Sequence, residues 1–266
     1  MRKIYNLPEM KRVFLPFVFF FYTIFFLGQQ LNNTIITDSI KFNSKKEIKF
    51  NSKALIIPAA LISYGFLATD NGQLELFNTE LKGELKEHID FRSTIDDFSQ
   101  YTPLASIFIL DFVGIHGKNQ LKDKAIIAST AYLIMGISVS AIKKISNIER
   151  PDGSSFNSFP SGHTATAFMG AELLFQEYKD VSYWYGISGY LIASGTGAFR
   201  MINNRHWFSD VAAGAGIGIL SAKLSYWLFP KINKIFTKNN ENKNRKISFL
   251  PFYNGKNVGF GFVSTI

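Results

Sequence analysis

The sequence contains no cysteine, which excludes disulfides, a thiol nucleophile and any thiolate metal site, and leaves redox compartment unmarked. Histidine is also scarce, with four in 266 residues: His88, His116, His163 and His206. No cluster of carboxylates accompanies them, so a divalent-cation centre has few ligands to draw on. Acidic residues are outnumbered, 20 against 29 Lys and Arg, and the formal charge of +9 favours anionic partners, either a phosphorylated substrate or a membrane surface. Nucleic acid is not the expected partner, because no basic run interleaved with aromatics lies outside the apolar segments. No Pro/Gly-rich linker divides the middle of the chain and no internal repeat is visible, which points to one main domain.

Apolar residues are plentiful: 47% of the chain is hydrophobic and 27 positions are Phe, yet 18% is charged. That places the composition between a soluble helical protein and one embedded in lipid. Residues 1–12 carry Arg2, Lys3, Lys11 and Arg12 ahead of an apolar run at 13–28, the pattern of a signal peptide or retained signal anchor, and imply export. Residues 29–53 read as a polar connector, 54–68 as an apolar helix too short to cross a bilayer upright, and 71–92 as a surface helix. Apolar helices are expected at 103–115, 125–142, 182–198 and 211–229, with a more polar one at 164–178. The fold class is thus all-α, a membrane-associated bundle of about six helices spanning 29–236. Residues 237–266 form a polar linker and a terminal β-hairpin turning at Asn254-Gly255.

Small residues crowd the last two apolar helices (Gly186, Gly189, Gly195, Gly197, Gly214, Gly216, Gly218), which suits close helix contact in lipid or a tight core. Glu172, Gln176, Glu177 and Lys223 argue against all helices facing lipid. If the first segment crosses outward and 54–68 does not span, the basic loop at 116–124 and the basic tail at 231–246 both fall inside, as the positive-inside rule requires. The remaining loops, with the residues described next, then face outward. A soluble exported protein would display the same lysines as ordinary solvated surface.

Three clusters between 143 and 210 carry chemistry. Lys143 is followed seven residues later by Arg150-Pro151; then comes Pro160-Ser161-Gly162-His163; then Arg200 with His206 and Asp210 six and ten residues on. Singly each has a bland reading: a snorkelling lysine, a loop turn, a helix N-cap, a surface His-Asp pair. Together they supply three cations, two imidazoles, one carboxylate and a Ser-Gly turn before a helix, where free backbone N–H groups favour an anion. Asp210, four residues after His206 on a helical first turn, is spaced to hold one ring nitrogen and leave the other outward. His88 and His116 have no such company and read as surface residues.

In order and spacing these clusters resemble the type 2 phosphatidic acid phosphatase family, which includes bacterial acid phosphatases and vanadium haloperoxidases. The family pattern is Lys-x6-Arg-Pro, Pro-Ser-Gly-His and Ser-Arg-x5-His-x3-Asp; one departure is Phe199 in place of Ser. The resemblance implies that Lys143, Arg150 and Arg200 bind phosphate oxygens with help from Ser161 and the Gly162 N–H. It implies that His206, oriented by Asp210, attacks phosphorus and that His163 protonates the leaving oxygen. The residue types agree, since a phosphate dianion needs fixed cations before a neutral imidazole can approach, and an alkoxide leaves poorly without a proton. No metal or other cofactor is implied. The expected substrate is a lipid-linked phosphate or diphosphate (lipid A phosphate, undecaprenyl diphosphate or a phosphatidate type), at an inner membrane with the site facing the periplasm. The alternatives are a soluble periplasmic acid phosphatase and a vanadate-dependent haloperoxidase.

Overall fold

Where helices touch, glycine sets the distance. In the computed structural model, which describes residues 52–69, 72–88, 93–241, 246–253 and 258–265, a Cβ on Gly214 would stand 2.5 Å from the Ser161 carbonyl oxygen. One on Gly218 would stand 2.8 Å from the Met169 nitrogen. Lacking side chains there, helix α8 (Phe208–Glu241) lies directly on the backbone of α6 (Gly162–Tyr178).

After a 3-10 turn at Ser52–Leu55 the order is α1 (Ile56–Leu67), α2 (Gly72–His88), α3 (Ile95–Ser99), α4 (Thr102–Phe112), α5 (Leu121–Ser146), α6, α7 (Tyr183–Ile202) and α8. The described residues thus hold eight α-helices where about six were expected. The one without any sequence signal is α3, whose five residues are too few to show a period. Helix α6 is central, packed by α4, α5, α7 and α8, and its polar residues face inward. Glu172 is 2% exposed and accepts from Lys223 Nζ at 2.6 Å, from Gln176 and from Tyr190. The polarity of 164–178 therefore marks an internal network, not a solvated face.

Helices α5 and α8 are long and apolar enough to cross a membrane; the 26 residues of α5 reach about 39 Å against a hydrocarbon core of ~30 Å. Helix α1 is too short, and α1 with α2 passes as one apolar segment only with a bend of 92° between them. The chain then alternates along the bundle. Asn147, at φ 47°, ends α5 and releases the loop 148–161; α6 runs back until its Glu177 carbonyl accepts from Lys118 N; α7 returns and α8 departs again. The three clusters therefore share one end, and the 116–120 turn occupies the other. One lysine of that basic loop is not a loop charge: Lys124 lies within α5, 2% exposed and paired with Asp111 at 2.7 Å.

Strands β1 (Lys246–Tyr253) and β2 (Val258–Thr265) form the expected antiparallel hairpin. Tyr253 opposes Val258 at the end of the register. The Asn254-Gly255 turn and the segment 1–28 lie outside the described residues.

Candidate active site

The third cluster is built by the turn between α7 and α8. Arg200 lies in the last turn of α7, and Asp210 in the first turn of α8 reaches back to accept from Trp207 N at 2.9 Å, as the third helical residue of a capping box does. The same oxygen, Oδ2, accepts from Ser158 Oγ at 2.5 Å and from His206 Nδ1 at 3.2 Å. Asp210 is fully buried and His206 is 3% exposed. With the Nδ1 proton held by Asp210, the Nε2 lone pair is the reactive one. Burial pushes the His206 imidazole down to about 4 despite the opposing pull of Asp210, and Lys143 and Arg200 add to the depression. The ring is neutral at ordinary pH, as a nucleophile must be.

The loop 148–161 ties the other clusters to that couple. Lys143 Nζ donates to the carbonyls of Asn157 at 2.5 Å and Ser158 at 3.2 Å, while Arg150 Nε donates to Asn157 Oδ1 at 3.0 Å. Ser158 thus joins Lys143 to Asp210, and Ser161 N donates to the Asp210 carbonyl at 3.0 Å. Ser161 caps α6: its Oγ accepts from Thr164 N at 3.4 Å and lies 2.8 Å from Thr164 Oγ1. The serine hydroxyl is therefore turned to its own helix, and Gly162 and His163 stand in the first turn, where backbone donors have no intrahelical acceptor.

Asp210 is not the only acid of the site, although the three clusters alone implied that it was. Asp96 and Asp97 of α3 enter it: Arg200 NH1 donates to Asp96 Oδ2 at 2.7 Å and lies 3.6 Å from Asp97 Oδ1, and His163 Nε2 is 3.0 Å from that same Asp97 oxygen. Adjacent helical residues point about 100° apart, so Asp96 goes inward, 1% exposed, while Asp97 stays half exposed. A cavity of about 520 Å³ opens here, with Arg150, His163, Arg200, Asp96, Asp97 and Asn203 in its lining. Lys143, Ser161, Gly162, His206 and Asp210 are not part of that lining. Burial, then Arg200, push the His163 imidazole below its ordinary value, with Asp97 and Asp96 opposing. Among the described residues three buried side-chain atoms have no hydrogen-bond partner, and two of them, Arg200 Nε and Asp210 Oδ1, lie at the site. Arg200 Nε–H is therefore a buried donor with no acceptor of its own. Among the described residues no group of three or more His, Asp or Glu is placed to hold a metal ion. His116 is exposed, as expected, though Asp111 lies 3.3 Å from its Nδ1.

Lipid A 1-phosphatase of Porphyromonas gingivalis is 43% identical over 139 residues, 52% of this chain and 31% of that protein. The bacitracin transport permease protein BcrC of Bacillus licheniformis is 37% identical over 79 residues, 30% of this chain and 37% of that one. The chain thus spans about a third of the length of the curated relatives it matches. The crystal structure of Aquifex aeolicus LpxE is similar at a TM-score of 0.44 and 25% identity, covering 56% of this chain and 94% of that one. The family model described as PAP2 superfamily matches residues 124–234, a span that holds Lys143, Arg150, His163, Arg200, His206 and Asp210.

Proposed function

We propose that the protein is a metal-independent phosphatase of lipid-linked phosphates. The observation that carries this is the buried His206–Asp210 couple, neighboured by Lys143 and Arg200, at one end of a bundle in which α5 and α8 are long enough to cross a membrane. Lys143, Arg150 and Arg200 neutralise the phosphate oxygens, together with the first-turn amides at Gly162 and His163. His206 Nε2 attacks phosphorus, the P–O bond to the leaving group breaks, and His163 gives its proton to the departing oxygen. Water then attacks the phosphohistidine, losing a proton to His163, and frees phosphate and His206.

The named relative favours lipid A phosphate as substrate; undecaprenyl diphosphate and phosphatidate-type lipids present the same group. Lys118 and Lys122 occupy the end of the bundle opposite the site, and the basic tail follows α8 away from it, a pattern that supports a periplasmic site in the inner membrane. We take 29–236 as the catalytic unit. Purified protein in detergent is expected to release phosphate from these lipids with EDTA present, to be inhibited by vanadate, and to carry an acid-labile phosphoryl label during turnover. Activity lost to EDTA and restored by a divalent cation would overturn the metal-free route.

A further inference from the structure

The two aspartates of α3 are held in place, which gives them meaning beyond loop charge. Asn203, just past α7, clamps the segment before α3: its Nδ2 donates to Ser93 O at 2.7 Å and to Asp96 Oδ1 at 3.1 Å, and its Oδ1 accepts from Ser93 N at 3.1 Å. Ser99 Oγ lies 2.8 Å from Thr196 Oγ1, fixing the other end of α3 on α7. Asp96 is used up by Arg200 and Asn203. Asp97 Oδ1 is nearer to His163, at 3.0 Å, than to Arg200, at 3.6 Å.

We infer that Asp97 is the positioning residue for His163, so that the site works with two histidine–aspartate couples, a buried one for the nucleophile and an open one for the acid. This rests on the phosphatase reading above. His163 stands between opposed charges: Asp96 and Asp97 from α3, Arg200 from α7, with Arg150 and Arg205 lining the same cavity from the loops and Lys143 and Asp210 behind Ser161. Burial, then Arg200, disfavour the charged ring; the Asp97 carboxylate, at 3.0 Å, is the partner that opposes them directly. In the imidazolium, Nε2–H is bonded to Asp97 and Nδ1–H is left for the leaving oxygen. As the P–O bond breaks, the Nδ1 proton moves to that oxygen, and the neutral ring keeps its Nε2–H on Asp97. When water attacks the phosphohistidine, Nδ1 takes a water proton and the imidazolium returns. Asp97 itself touches no reacting atom.

Asp97 is half exposed, so its replacement leaves the core intact. In Asp97→Asn the alkaline limb of kcat/KM on an alkyl phosphate is expected to fall by about one pH unit, with about tenfold loss at pH 7. Turnover of p-nitrophenyl phosphate, whose leaving group needs no proton, stays within about threefold, and Asp97→Glu recovers most of the alkyl activity. An unmoved alkaline limb overturns the inference, as does equal loss on both substrates. Tighter vanadate binding with an unmoved limb does so too, and recasts Asp97 as a plug that substrate displaces. If the wild-type chain hydrolyses neither ester, the phosphatase reading fails on its own account, and NMR titration of His163 decides the inference separately. A lower midpoint in Asp97→Asn supports it, and an unchanged midpoint overturns it.

Discussion

The two ends of the bundle use the same residue types to opposite effect. At the end away from the site, Lys124 is enclosed by Asp111 at 2.7 Å, the Tyr178 hydroxyl at 3.2 Å and the Tyr178 ring at 4.9 Å. Glu177 accepts there from Asn119 N, Asn119 Nδ2 and the Tyr226 hydroxyl. At the site end the charged groups keep open positions: Lys143 donates to backbone carbonyls, and Arg200 Nε and Asp210 Oδ1 have no partner although the same side chains are paired through their other atoms. Closed pairs hold helices together, and open ones are free to meet a ligand. Burial alone does not separate the two, since Asp210 is as deeply buried as Lys124.

That contrast breaks first at His206. His206→Ala is expected to reduce turnover at least about 10⁴-fold on every substrate and to abolish the acid-labile phosphoryl label, with thermal unfolding little changed. A label that persists would reassign the nucleophile. His163→Ala is expected to lose about 10²–10⁴-fold on alkyl phosphates and much less on p-nitrophenyl phosphate; equal losses would remove the acid role. The other end answers to stability, not rate. Lys124→Met is expected to cost about 3 kcal/mol by leaving the Asp111 carboxylate without its main partner, while kcat of the folded fraction is unchanged, and adding Asp111→Leu should recover most of the loss. Unfolding midpoints with active-site titration check both halves of that statement.

Smaller effects sharpen the picture. His206 must be neutral and its pKa is depressed to about 4, so kcat/KM should fall as pH drops through that value. His163 must be charged, and its pKa lies below the ordinary 6.5, so activity should also fall as pH rises from below neutrality. The optimum is therefore acidic; a plateau extending to pH 8 would contradict the assignment. Arg200→Lys keeps a charge but loses the fork that serves Asp96 and the phosphate together, and about 10- to 100-fold loss in kcat/KM is expected.

The long elements were legible because period and length speak for them: α5 and α8 read as apolar helices, and Pro160-Ser161-Gly162-His163 read as a helix start, which Ser161 caps. The His206–Asp210 contact followed from a spacing of four. What the sequence hid was non-local. Asp96 and Asp97 sit in a five-residue helix about a hundred positions before Arg200. Ser158 and Asn157 belong to no motif, yet their carbonyls and side chains join Lys143, Arg150 and Asp210. Such contacts depend on how α3 and the 148–161 loop dock, and no periodicity encodes docking. Asn203 offered one signal, an amide just past a helix end, but an amide there reads equally well as a turn residue.

The close approach at Gly214 sets how this site can move. Because α8 meets the Ser161 carbonyl with no side chain between, the turn that presents backbone donors and the helix that carries Asp210 form a single rigid body, joined again by the Ser161 N to Asp210 O bond. Entry and exit of substrate then fall to the α3 side of the cavity, where Asp97 is half exposed. Amide exchange measured residue by residue should be slow at Ser161 and faster across Ser93 to Asp97, so that the donors stand ready before substrate arrives and only the rim has to breathe.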